Sequence, residues 1–240
     1  MRVGEKTFFL LLLKSCKKLY FCRVLSNEFF QMKRWTVVCV IFCFSALLFS
    51  SCRVTLRNGD LVFFQPAGSD LEKAISLSTR TDTTLNFCHV GIVEILDGFP
   101  YVIEAVPEGG VERTLMGSHS HETYFIYRVR HRYAARNAVV LAWEHLGEPY
   151  DFYFQHDNGR MYCSELVWEC CRKRDGSHLF SAQPMNFKSP DGTMPAYWVE
   201  WFTPLGVPIP QGEPGTNPNG LAQSKHLRFL GTRRYETCID

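Results

Sequence analysis

The sequence lacks a Cys-x-x-Cys pair, an internal repeat and an apolar run long enough to span a bilayer. Without the paired thiols, a structural zinc site is poorly supported. Excess positive charge is missing too, although the net charge of +2 hides this. Eight of the 26 Lys/Arg and two of the 24 Asp/Glu fall in residues 1–52, which leaves 18 basic and 22 acidic side chains in 53–240, a net of −4. A mildly acidic body argues against nucleic acid as a partner.

What is present begins with an export signal. Met32-Lys33-Arg34-Trp35, the apolar stretch from Thr36 to Phe49, and Ser50-Ser51-Cys52 give a basic start, an apolar run and a small-residue end. The apolar run is about 15 residues, short of the ~20 needed for a transmembrane helix. Cys52 directly after two small residues resembles a bacterial lipobox, in which that cysteine carries the lipid, although Phe49 stands where an aliphatic residue is usual. Residues 1–31 hold a second apolar run, Phe8 to Leu13. Two tandem signals make little sense, so the expected organisation is 1–31 as a mis-assigned extension, 32–52 as a lipoprotein signal peptide and 53–240 as the functional domain. The residues directly after Cys52, Arg53-Val54-Thr55, carry no acidic run, so a periplasm-facing, membrane-anchored position is expected. The body keeps Cys88, Cys163, Cys170, Cys171 and Cys238. An odd number leaves at least one thiol free even in an oxidising compartment.

Helices and antiparallel strands fall in separate runs, which points to an α+β fold. Leu61–Phe64, Phe87–Leu96, Tyr101–Val106, Val111–Thr114, Tyr124–Val129 and Leu227–Leu230 read as strands. Ser69-Asp70-Leu71-Glu72 has capping-box spacing and opens a helix. A second helix runs from Ala134 to Leu146 and ends at Gly147 and Pro149. A third begins at Cys163 and is expected to reach about Arg174. Tyr197–Phe202 is a short aromatic segment; Trp198 and Trp201 either line a substrate cleft or cover the sheet, and the second is expected. Residues 207–220 read as Pro/Gly-rich, extended and exposed.

The chemistry centres on Tyr162-Cys163-Ser164-Glu165-Leu166-Val167-Trp168. Leu166, Val167 and Cys170 follow Cys163 at i+3, i+4 and i+7, so all four share one helix face. A thiol at a helix N-terminus feels the positive end of the dipole, which favours thiolate. A buried structural cysteine is the competing reading. A nucleophile needs a base and a group to orient it. His89 lies on a strand beside Gly91, which leaves room for a close approach. A hairpin turning at Asp97-Gly98 with an even-numbered loop pairs odd positions with even ones, which puts His89 and Glu104 on one face within one pair of each other. Glu94 falls on the other face. Cys88 points away from His89 and is no partner thiol. Asp60 is expected to cap its turn. His119-Ser120-His121 reads as an exposed loop rather than a metal pair, and His145, His156, His178 and His226 carry no partner signal.

Gly59-Asp60-Leu61-Val62-Phe63, His89-Val90-Gly91-Ile92-Val93, Glu104-Ala105, Gly147-Glu148-Pro149-Tyr150-Asp151 and Tyr162-Cys163-Ser164-Glu165-Leu166 together resemble the YiiX-type branch of the permuted papain-like hydrolases. These are relatives of the NlpC-type cell-wall peptidases and, more distantly, of lecithin retinol acyltransferase. The resemblance implies a circularly permuted papain-like (NlpC-like) α+β fold, with an antiparallel sheet packed against the nucleophile helix and the histidine preceding the cysteine. It implies Cys163 as nucleophile, His89 as general base and Glu104 as the orienting acid, with Tyr162 a candidate for the oxyanion site and ordinary core packing its alternative. The backbone N–H of Cys163 is a further oxyanion donor.

The expectation is therefore a cell-envelope cysteine hydrolase that needs no cofactor or metal. It would work by acyl transfer through a thioester, on murein peptides or acyl amides. A lipid-directed acyltransferase or esterase of the same fold, and a non-catalytic envelope binding module, are the alternatives.

Overall fold

A computed structural model describes residues 54–80, 85–118 and 123–235. The extension, the signal segment with Cys52, the pair His119 and His121, and Cys238 lie outside the described residues. No helix among the described residues is long and apolar enough to cross a membrane.

The framework is one antiparallel sheet. Its strands are β1 (Asp60–Phe64), β2 (His89–Leu96), β3 (Phe99–Val106), β4 (Gly110–Leu115), β5 (Thr123–Val129) and β8 (Leu227–Arg234), in the spatial order β4-β3-β2-β1-β5-β8. Alternation along the strands gives the sheet two apolar faces. Leu61, Phe63, Val90, Ile92, Ile103 and Ala105 join the main core with the helices, while Val62, Phe64, Val93, Val102, Tyr124 and Ile126 form a smaller core behind. Both faces of β1 are buried, which is why Leu61-Val62-Phe63-Phe64 read as a continuous apolar run after Asp60.

The β2–β3 turn sets the register that matters for function. Leu96 pairs with Phe99 across the two residues Asp97 and Gly98, whose φ values are 52° and 84°. That is the primed turn favoured in tight hairpins, and Asp-Gly supplies it at low cost. The even loop pairs Ile92 with Ile103.

Helix α1 (Asp70–Thr79) opens with the capping box the sequence indicates: Glu72 N–H donates to Ser69 Oγ at 3.2 Å, and Glu72 Oε2 accepts the Ser69 N–H at 3.1 Å. Helix α2 (Arg132–Glu144) lays Ala134, Ala138 and Ala142 on the sheet. These small side chains let the helix come close, so close that a Cβ on Gly59 would sit 1.8 Å from Ala135 O.

Three expectations are corrected. Helix α3 is Cys163–Cys170 and stops four residues short of Arg174. The chain turns back instead at Asp175-Gly176, where Gly176 has φ 79° and Asp175 accepts both the N–H and the hydroxyl of Ser177. Arg172 then bridges to His178, so a local return overrides helical periodicity. The Pro/Gly-rich stretch 207–220 is not simply extended and exposed. It contains β7 (Pro214–Gly215), paired with β6 (Gln183–Pro184), and leads into helix α5 (Pro218–Ala222). Asn219 is 3 % exposed and holds the start of β2, accepting from Phe87 N–H at 2.7 Å and donating to Phe87 O at 3.0 Å. Finally, Trp198 on helix α4 (Ala196–Phe202) does not cover the sheet. Its indole N–H donates to Ser78 Oγ on α1, and its ring packs edge-on against Phe154 and Phe187.

Candidate active site

Cys163 is the first residue of α3, with Tyr162 as N-cap in an extended conformation. A reciprocal contact fixes this helix start. Glu165, in the first turn, accepts the Tyr162 N–H on one oxygen at 3.3 Å and meets His156 Nδ1 on the other at 3.0 Å. Glu165 is 1 % exposed, and burial pushes its carboxyl up to about 9. The parallel bridge of Tyr150 to Met161 places Tyr150 alongside the segment leading into Cys163.

His89 and Glu104 meet in the structure. Nε2 of the imidazole lies 2.6 Å from Glu104 Oε2, and Glu104 has no exposed surface. The close approach depends on Gly91: a Cβ there would come within 3.2 Å of Glu104 Cβ and 2.4 Å of Val102 Cγ1. The imidazole also packs on Phe64, with ring centroids 5.4 Å apart. Burial disfavours a charged imidazole here, but it is outweighed by the hydrogen-bonded Cys163 sulfur as thiolate and by Glu104, which together push His89 up to about 10. Both partners favour the charged form of the ring. Cys88, beside it, gives its thiol to Phe64 O at 3.6 Å, and burial pushes that thiol far above the ordinary range. It borders the cleft as an inert neighbour.

Two spaces meet at Cys163. On the His89 side is an open, polar cleft of about 510 Å³, bordered by Glu72, Glu104, Glu108 and Glu112. On the Tyr162 side is a narrow slot of about 40 Å³, walled by Ile75, Phe154, Met185, Phe187 and Trp198. Cys163 and Tyr150 border both. Phe154 reaches the slot from a backbone position with φ 54°, a conformation that costs a bulky residue about 1–3 kcal/mol. The buried Asp151 carboxylate holds it there by accepting the N–H of Tyr153 and of Gln155, one on each side.

A His–Glu pair on neighbouring antiparallel strands, facing a cysteine at a helix start that comes later in the chain, is a papain-like arrangement in reversed order. The sequence profile of the permuted papain-like amidases, the YaeF/YiiX or C92 family, matches residues 55–231. The chain belongs to this family. A curated relative, the uncharacterised protein YiiX of Escherichia coli strain K12, is 31 % identical over 178 residues, covering 71 % of this chain and 84 % of its own length. A crystal structure of YiiX from Escherichia coli O157:H7, described as a metalloprotein, superposes with a TM-score of 0.60 at 28 % identity, covering 74 % of this chain and 98 % of that one. This member of the permuted papain-like amidase family thus has the α+β fold that its motifs imply.

Within the amidase fold, the other candidates separate by their contacts. The Tyr162 hydroxyl accepts the Thr216 N–H at 3.2 Å, so the ring is fixed against the strap at 214–217. Asp60 accepts the Arg57 N–H at 2.9 Å and takes Arg128 with both oxygens at 2.8 Å, a turn cap joined to an ion pair. Glu94, off the His89 face, accepts the Trp143 indole at 2.8 Å. His145, His156 and His178 have carboxylate partners after all, in Glu148, Glu165 and Glu169. Sequence reasoning passed over Tyr150. It is 4 % exposed, and burial first and the Cys163 charge next push its phenol well above the usual value. The signal available was its place in the Gly147-Glu148-Pro149-Tyr150-Asp151 motif. The Glu165–His156 bracket was passed over as well, because the residue at the N-cap is Tyr rather than the Ser or Thr of a capping box.

Proposed function

We propose that the protein is a cysteine amidase that works through a thioester on Cys163. The observation that carries this reading is the 2.6 Å His89–Glu104 bond in the cleft bordered by Cys163. The sulfur attacks an amide carbonyl, and the oxyanion forms beside the Cys163 N–H and the Tyr150 hydroxyl. His89, as imidazolium, gives its proton to the departing amine and then draws a proton from water as that water attacks the thioester. Glu104 holds the ring and favours its charged form. Tyr150 fits the oxyanion role better than Tyr162 because it borders the polar cleft as well as the slot at Cys163, whereas Tyr162 borders the slot alone.

Murein peptides and acyl amides are the substrates proposed. Support for acyl groups comes from the apolar slot beside the sulfur, which also favours the second reading, a lipid-directed esterase or acyltransferase. Membrane anchoring through lipidated Cys52 is proposed on the lipobox-like sequence. Among the described residues, no group of three or more His, Cys, Asp or Glu is placed to hold a metal ion, and one imidazole nitrogen of His89 is engaged by Glu104. The donor set does not fit a metal centre, and no step is drawn through one.

The test is direct capture. Incubation with murein fragments and with N-acyl amino acids, followed by acid quench and intact mass, is expected to show an acyl adduct on Cys163 that is absent from Cys163→Ala. If Cys163 alkylates at neutral pH no faster than a simple thiol, and His89→Ala leaves that rate unchanged, the chain is a binding module rather than an enzyme. For the anchor, Cys52→Ser is expected to release the protein from membranes; retention there overturns the lipoprotein reading.

A further inference from the structure

Cys163 lies where the two spaces meet, and the chemistry gives each space one half of the substrate. The imidazole has to reach the departing amine, and His89 borders the polar cleft but not the slot. The amine half of an amide therefore lies in the cleft, and the acyl half turns into the slot on the Tyr162 side. This division rests on the thioester reading proposed above.

The slot is small. At about 40 Å³ it has room for about three water molecules, each needing roughly 10–15 Å³ of such space. Its aromatic walls are pinned. Asp151 holds the backbone on both sides of Phe154. Trp198 N–H donates to Ser78 Oγ at 2.9 Å, and that hydroxyl donates to Phe187 O at 3.0 Å. Walls fixed in this way do not open for extra methylenes without strain. Met185 is the exception. It is 8 % exposed, lines the slot, and carries an unbranched thioether chain that adapts to the space it is given. Its side chain rests on Gly215, where a Cβ would fall 2.5 Å from both Met185 Cγ and Met185 Sδ. The backbone at Gly215 is outside the left-handed region, so the glycine supplies room for the methionine rather than a special conformation.

We propose that Met185, seated on Gly215, sets the length of acyl group the enzyme accepts. The slot takes a short aliphatic chain of about three carbons beyond the carbonyl and rejects the long chain of an acyl lipid. Truncating Met185 lengthens the slot. A side chain at position 215 drives Met185 into the slot and shortens it.

The experiment treats the full chain with a ladder of alkyl chloromethyl ketones, methyl through heptyl. The sulfur attacks the chloromethyl carbon, an S–C bond forms, and chloride leaves with the bonding pair, so labelling needs no turnover. Labelling of Cys163 is read by peptide mass, and each rate is divided by that of a free thiol with the same reagent. In wild type the ratio is expected to peak near propyl and to fall about tenfold by heptyl, the size of effect that misfitting methylenes have in an apolar pocket. Met185→Ala is expected to move the peak toward heptyl, and Gly215→Ala to move it toward methyl. Partial unfolding lowers every rate in a preparation alike and leaves the peak where it is. A flat ladder, or one that climbs through heptyl in wild type, overturns the size limit. A peak that neither variant moves overturns the role of Met185. A peaked ladder in a protein that hydrolyses no amide of the same acyl groups overturns the amidase reading and leaves the slot assignment standing.

Discussion

Glu104 is a carboxylate with no exposed surface, and burying it without a partner would cost several kcal/mol. His89 offsets that cost, so the pair is structural and chemical at once. Glu104→Gln keeps the shape and removes the charge. It is expected to lower kcat by about 10²-fold or more, with the unfolding free energy reduced by about 1–3 kcal/mol; steady-state kinetics and urea melts on the same preparation check both. The two tyrosines should part company. Tyr150→Phe removes a phenol beside the sulfur and is expected to cut kcat by about 10²-fold with KM little changed. Tyr162→Phe removes the acceptor of the Thr216 N–H and is expected to appear mainly as a loss of about 1 kcal/mol in stability. Equal kinetic effects in the two variants would return the oxyanion role to Tyr162.

At the scale of elements, the proposed active site is one helix start set against one hairpin. The charge states there make stability depend on pH in a defined window. His89 is raised from 6.5 to about 10 on folding, so its contribution is complete below about pH 6.5 and is lost as pH rises through about 10. Glu165 on α3 is raised from 4.5 to about 9 and acts in the same direction over its own interval. Urea midpoints are therefore expected to fall from pH 6 to pH 10. Cys163→Ala removes a main cause of the His89 shift and should flatten the fall, whereas Glu165→Gln should flatten only its lower part. Packing in the hairpin is as tight as its chemistry. Gly91→Ala drives a methyl into Val102 and Glu104 and is expected to cost about 1–3 kcal/mol and to separate the catalytic pair, seen as lost activity in a protein that still folds. This hairpin was legible in the sequence because its information is local: Asp97-Gly98 fixes the turn, the turn fixes parity, and parity brings Glu104 to His89. The end of α3 was not legible. Its periodicity runs on past Cys170, and only the pairing of Arg172 with His178 shows where the chain leaves the helix.

For the molecule as a whole, the sheet and helices that carry the fold lie in Val54–Asp240, which forms a compact unit of its own. A chain starting at Val54 is expected to unfold in one transition at the same denaturant midpoint as the full-length protein, measured by circular dichroism; a lower midpoint would show that the first 53 residues take part in the fold. The α+β class and the order of motifs were readable, since each strand of the six-stranded sheet announces itself within a few residues. The tail was not. Residues 207–220 have the composition of an exposed loop, and nothing near them in sequence reveals that Asn219 will satisfy Phe87, that Thr216 will meet Tyr162, or that Trp198 will turn toward α1. Those contacts span 54 to 132 positions, and local pattern carries no trace of them.

The bond between Asn219 and Phe87 also orders events in time. During synthesis the proposed nucleophile emerges more than fifty residues before the asparagine that pins the strand bearing its histidine. A partly delivered chain therefore carries its sulfur without a finished enclosure around it. The pocket is complete only once the last stretch of polypeptide has arrived.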